Sequence, residues 1–502
     1  MSILKKLASE TAIYGISSIV GRVLFFLLTP LYVSVFESSQ EYGKYADIYA
    51  IVAFLTILFG YGMETAFFRY SLKEQGREKI SFGTALSSVS LTSILLGALI
   101  LLAATPIAKV LQVDAYQHLF QLGVVIVVLD SLTSIPFAQL RAKNRPIRFA
   151  TIKLLGIGLN IGLNLFFYLA CPKIMAEGNG ALYNWVSTWY NPSFGVGYAL
   201  VANVADAAFK LLLLSPLFSG LSWGFSQKLW GQMLRFGWPI MVVSLAGMVN
   251  EVADRQLLKW MLPKDDGYNL SQLGIYSACY KLSIFLSLFT QAFRYAGEPF
   301  FFAQAKEKDA PETYARVLKY FTIFSLVGFL TVTLYIDVFK YFIPREEYWV
   351  GLTIIPVLLM AYVFYGVYYN LSVWYKLTDQ TFSGSIIAIF GAIITLAVNI
   401  LFIPKYGYWA STWATFLAFG CMSLLSYFWG RRHFPVPYDW KRLLAYLGLA
   451  VVICALFLVL NNHFGMKTVP IIFVNSVGLL LFVAVVLRIE REELKALFNQ
   501  TN

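Results

Sequence analysis

Charge is scarce in this chain. Only 13% of its 502 residues are Asp, Glu, Lys or Arg, against roughly a quarter in a soluble domain. Hydrophobic residues make up 59%, aromatic residues 17%, and the mean hydropathy is +0.67. The apolar residues run along the whole length, which excludes a soluble multidomain enzyme and a disordered chain. Cysteine is scarce too. Cys171, Cys279, Cys421 and Cys454 show no metal or redox spacing, so no disulfide framework is expected. Those in apolar runs read as packing residues. The three histidines, His118, His433 and His463, have no histidine partner at i+4, and no zinc site is expected. The sequence has no P-loop, no Gly-x-Ser-x-Gly and no His-Glu-x-x-His, so neither an ATP engine nor an enzyme signature is found and no cofactor is expected. Its first apolar stretch, about 11–36, is too long for a signal peptide's apolar core and lacks a small-residue cleavage site. It reads as a membrane span.

Long apolar runs are what the chain does have. A helix needs about 20 mainly apolar residues to cross the hydrocarbon core. Fourteen such runs lie near 11–35, 45–69, 82–104, 118–140, 149–170, 194–218, 236–262, 273–301, 316–342, 351–375, 382–403, 408–430, 443–461 and 468–488. The reading is an all-α polytopic membrane protein. With a cytoplasmic N-terminus, the inner segments carry 26 Lys and Arg and the outer segments nine. That asymmetry predicts both termini inside. The net charge of +12 therefore records topology, and no nucleic-acid partner is expected.

An internal repeat is visible. The first span reads Arg22-VLFFLLT-Pro30 and continues with Gly43-x-Tyr45-x3-Tyr49. The seventh reads Arg255-QLLKWML-Pro263 and continues with Gly274-x-Tyr276-x3-Tyr280. Glu64 and Glu298, then Asn164 and Asn399, follow in the same order. The pattern predicts two like-oriented six-helix lobes, 1–219 and 230–430, and a two-helix tail, 443–488. A pseudo-two-fold axis along the membrane normal and a central cavity would follow.

Charges within the spans are costly and point to function. Four cations, Arg22, Arg255, Lys281 and Arg294, are candidate substrate-binding residues. A guanidinium binds two oxygens of a phosphate or carboxylate in its fork. The competing reading is structural pairing, since Glu251 and Arg255, and likewise Arg294 and Glu298, are spaced i, i+4. Seven acids also fall within spans: Asp47, Glu64, Asp130, Asp206, Glu251, Asp254 and Glu298. Asp130, Asp206, Glu251 and Asp254 are candidates for coupling to H⁺ or Na⁺, with hydrogen bonding to a neighbouring helix as the plain alternative. Asp254 is expected to point away from Arg255. The tyrosines 362, 365, 368 and 369 give one helix a hydroxyl-rich face, suited to packing, to sugars or to a lipid groove.

The Arg22…Pro30-Leu-Tyr segment, Glu41-Tyr-Gly43-Lys-Tyr45, Gln139-Leu-Arg-Ala-Lys-Asn-Arg145-Pro146, the Asp254-Arg255 pair, Gly274-Ile-Tyr276-Ser and Pro404-Lys-Tyr-Gly407 together resemble a known group. It is the polysaccharide flippases of the multidrug/oligosaccharidyl-lipid/polysaccharide (MOP) exporter superfamily, and the resemblance covers nearly the whole chain. It implies translocation of an undecaprenyl-pyrophosphate-linked oligosaccharide across a bacterial inner membrane by alternating access. A cationic cavity would receive the pyrophosphate, coupling to protons or Na⁺ is plausible, and a glycan polymerase or glycosyltransferases are possible partners. The alternatives within the superfamily are a lipid II flippase and a cation-coupled multidrug exporter. Of other classes are a membrane-embedded polysaccharide polymerase or ligase, which would need large outer loops, and a passive scaffold. Membrane acids outnumbering membrane bases speaks against simple anion attraction.

Overall fold

The computed structural model describes residues 3–73, 78–218, 224–305, 307, 309–378, 380–464, 468–493 and 495. Among them there is no strand. Fourteen helical segments are long and apolar enough to cross a membrane. In chain order they are α1 (Ser17–Val35), α2 (Ser39–Ser71), α3 (Glu78–Leu102), α4 (Asp114–Ala142), α5 (Pro146–Glu177), α6 (Gly197–Leu217), α7 (Gln227–Met261), α8 (Asp266–Arg294), α9 (Ala310–Leu334), α10 (Glu346–Leu377), α11 (Phe382–Tyr406), α12 (Tyr408–His433), α13 (Trp440–Leu460) and α14 (Ile471–Ile489). Each corresponds to one run expected from hydropathy. Local signals set several ends. Ser38 caps α2 through the Glu41 amide, Ser226 caps α7 through Leu229, and Pro146 opens α5 at its first turn, where a missing N–H costs nothing.

The chain divides into two compact units. The first holds Met1–Ser277 and Asn399–Tyr408, the second Ala278–Val398 and Trp409–Asn502. The division falls within α8 and α11, whereas the sequence repeat divides the chain near residue 220. In the first unit α6 packs on α4 and α5, α4 on α2 and α3, α5 on α1, and α7 along α2. In the second unit α9 packs on α10, and α13 and α14 pack on each other and on α9.

The last two helices are fixed to α9 at both ends. At one end Asn475 donates to the Leu334 carbonyl, and the Tyr335 and Ser476 hydroxyls bond at 2.6 Å. At the other, Lys319 Nζ lies 2.6 Å from Glu490 Oε2 and also binds Glu493. Glu490, 1% exposed, further accepts from the Tyr446 hydroxyl and sits 3.4 Å from Arg442. Burial raises the Glu490 carboxyl, but Lys319, Tyr446 and Arg442 together outweigh it, and its pKa lies below the ordinary value of 4.5. A carboxylate depressed in the folded state contributes stability above its unfolded pKa and loses it as pH falls through the folded one. Thermal stability of the wild type should therefore hold from neutral pH to about 5 and drop further into acid. Glu490→Gln should start lower and lose less over the same acid range. Parallel melting profiles would show that Glu490 does not anchor the tail.

Candidate functional site

Among the lysines that the charge asymmetry counts with the loops, Lys153 lies inside α5, Lys210 inside α6, Lys259 inside α7 and Lys319 inside α9. Their long stems let the sequence place them at a span's edge while their ammonium groups reach inward to partners. Lys210, Lys259 and Lys319 each pair with a carboxylate, of Asp206, Asp47 and Glu490 respectively, and so add little net positive charge.

In the first unit two of these lysines, Lys153 and Lys210, belong to one cationic group. Lys153 Nζ donates to Ser18 Oγ of α1 at 3.1 Å. It shares its electrostatic surroundings with Lys210, Arg22 and Arg141. Arg22 itself is an exposed residue of α1. Two acids temper this group. Asp206, 4% exposed, holds Lys210 at 2.7 Å one helical turn away, and Glu64 pairs with Arg141. Asp130 of α4, partly buried, lies within electrostatic reach of both Lys210 and Asp206. One oxygen of Asp206, Oδ1, is buried without a hydrogen bond. A buried carboxylate oxygen left unbonded is costly. Further polar side chains pair with one another in the first unit. Tyr32 donates to Asn164 at 2.9 Å, Asn164 donates to Asn160, and Asn203 donates to Tyr49.

Arg255 of α7 also belongs to the first unit. Its Nη1 donates to the Glu251 carbonyl oxygen at 2.7 Å and lies 3.5 Å from Asp254 Oδ1. Asp254 does not point away, as adjacency in sequence suggested. Its Oδ1 accepts the Arg255 amide at 2.8 Å, and its Oδ2 accepts the Tyr276 hydroxyl. Folding the carboxylate back along its own helix satisfies it where no water reaches. Glu251 is exposed.

Lys281 and Arg294 lie in the second unit, on α8. Arg294 sits 5.6 Å from the Tyr369 ring centroid, and Lys376 sits 4.8 Å from the same ring. The side chain of Glu298, expected one turn from Arg294, lies outside the described residues. The tyrosines of α10 divide in use. Tyr362 bonds the Tyr280 hydroxyl at 2.6 Å, and Tyr365 packs on Phe419. Tyr369 has two cations over its ring. Beside α10, an apolar crevice of about 510 Å³ is lined by Phe364, Leu371, Phe416, Leu424, Trp440 and Leu443 among others.

Two segments of the chain, 36–172 and 186–299, match families whose models are both described as polysaccharide biosynthesis protein. Together they span half of the residues. Both matched segments are those of polysaccharide biosynthesis proteins. Its fold is that of the MOP exporters. It is similar to a lipid II flippase, MurJ, in an inward closed conformation, with a TM-score of 0.71 and 15% identity over 95% of this chain and 99% of the other. It is similar to an inward-facing multidrug resistance MATE family transporter of the MOP superfamily, with a TM-score of 0.61 and 15% identity over 82% of this chain and 93% of that one. An outward-facing MATE family structure gives 0.55, with 14% identity over 85% of this chain and 95% of that one. No curated protein matches the chain. The fold is that of solved transporters of the superfamily that the Arg22, Gly43 and Gly274 motifs resemble.

Proposed function

We propose that this protein carries a polyprenyl-pyrophosphate-linked oligosaccharide from the inner to the outer leaflet of a bacterial inner membrane, by alternating access and without covalent chemistry. Both termini are cytoplasmic in this reading. The observation that carries it is the presence of Lys210, Arg22 and Arg141 within electrostatic reach of Lys153. A pyrophosphate needs several cations whose own repulsion is relieved when it binds, and such a group is attractive to an anion held in low dielectric. Arg255, Lys281 and Arg294 supply further contacts along the path. The apolar crevice beside α10 suits a hydrocarbon chain. A polymerase or glycosyltransferases would meet the product or supply the substrate. In proteoliposomes holding a fluorescent lipid-linked oligosaccharide, the protein should move the label to the leaflet where an impermeant quencher reaches it. No movement above empty vesicles would sink the proposal.

Asp206, with Asp130 beside it, is the coupling site in this reading, and Glu251 and Asp254 are secondary candidates. Asp206→Asn should leave lipid-linked substrate binding in place and remove the response of transport to an imposed H⁺ or Na⁺ gradient. An unchanged gradient response would exclude Asp206. The unbonded Oδ1 of Asp206 also favours a second reading, a cation-coupled multidrug exporter. Cationic dye efflux with no lipid movement would select it.

A further inference from the structure

The repeated Gly-x-Tyr motif has a physical basis in the first unit. The opening turns of α2 and α8 cross there at the backbone. A Cβ on Gly43 would overlap the carbonyl of Leu270, four residues before Gly274. A Cβ on Gly274 would overlap the carbonyl of Ser39, four residues before Gly43. This reciprocity is what a two-fold axis produces: each copy presents the same atoms to the other. Ser39 Oγ and Ser271 Oγ bond at 2.7 Å beside the crossing.

Next to this symmetric contact lies an asymmetric one. Asp47, one turn beyond Gly43, is fully buried at 0% exposure. It accepts from Lys259 Nζ at 2.7 Å, from the Tyr116 hydroxyl at 2.5 Å, and from Gln256. Lys259, 4% exposed, also donates to the Leu111 carbonyl at 2.7 Å. The position in the second copy that matches Asp47 is Ala278. One ion pair thus ties α2 to α7, with α4 contributing the Tyr116 hydroxyl.

A buried ion pair holds helices together no better than apolar side chains of the same size, because both charges lose their water. What it adds is reversibility. When the helices part, both charges regain hydration, and the penalty for separating them falls. We propose that Asp47 and Lys259 form a reversible lock, closed over the glycine crossing, whose release lets α2 part from α7 and the start of α8 at the outer end. The proposal rests on the alternating-access reading above. It makes an unequal prediction. Removing one partner strands the other charge in the closed state and drives the end open. Replacing both with apolar residues drives it shut.

The test reads the reaction of a Ser39→Cys thiol with a membrane-impermeant maleimide in sealed vesicles of fixed orientation. Cys171, Cys279 and Cys454 are buried, and the parent chain sets the background. Lys259→Met alone and Asp47→Leu alone should each raise the labelling rate about tenfold or more, and the two together should lower it below that of the Ser39→Cys parent. All variants should be monodisperse on size exclusion. Equal labelling in all four chains, or a double variant as reactive as the singles, overturns the proposal. A second measurement does not depend on those substitutions. Oxidising a Ser39→Cys/Ser271→Cys chain should stop transport, and reduction should restore it. Full transport by the cross-linked chain overturns the lock as well. Labelling needs no substrate, so a wrong substrate would leave that result standing.

Discussion

Transport by the Arg22→Ala/Lys153→Ala double variant should fall about 100-fold or more in proteoliposomes. Each charge-assisted hydrogen bond to a phosphate oxygen contributes about 1.5–3 kcal/mol. Losing two removes about 3 kcal/mol or more, which is about 100-fold in rate or affinity. Arg22 is exposed and Lys153 has only Ser18 as its hydrogen-bonding partner among the described residues, so the fold should survive both truncations. Arg22→Lys separates two meanings of the loss. If the guanidinium fork matters, the lysine variant keeps part of the binding and loses the rest. If only charge matters, it behaves as wild type. Transport above half the wild-type rate in the double variant would mean that the head group is recognised elsewhere.

Lys319→Met should give the largest loss of stability, about 3–5 kcal/mol. The ammonium bonds both Glu490 and Glu493. Without it two carboxylates are left side by side, one of them 1% exposed. Arg442, at 3.4 Å from Glu490 and itself exposed, offsets only part of this. The double variant Lys319→Met/Glu490→Gln should recover most of the loss, because the remaining buried group is neutral. Thermal melting in detergent measures both. A Lys319→Met chain as stable as wild type would reduce the cluster to a surface decoration.

The fourteen spans were legible because hydropathy is the property the bilayer selects, and each run needed only its own residues. The repeat was legible as a pattern of Arg, Pro, Gly and Tyr, but not its reason. That Gly43 and Gly274 each meet the other copy's backbone depends on a crossing between segments more than 200 residues apart. The charges were legible only where they stood deep in an apolar run. Arg22, Arg255, Asp206 and Asp254 stood out for that reason. Lys153, Lys210, Lys259 and Lys319 did not, because a lysine near a helix end looks the same whether its ammonium turns to water or inward. For Lys210 a signal existed, since Asp206 stands at i−4. For Lys259 the partner is Asp47, 212 residues away, and no local pattern reveals it. Asp254 was misread because a side chain can bond its neighbour's amide, which helical spacing alone does not anticipate.

Because α13 and α14 are clamped to α9 at Lys319 and again at Leu334 and Tyr335, points about 24 Å apart along the helix, they have no independent swing. A spectroscopic probe attached near Arg488 will report the displacement of the second unit itself. This part of the chain is thus a usable handle for distance measurements during turnover.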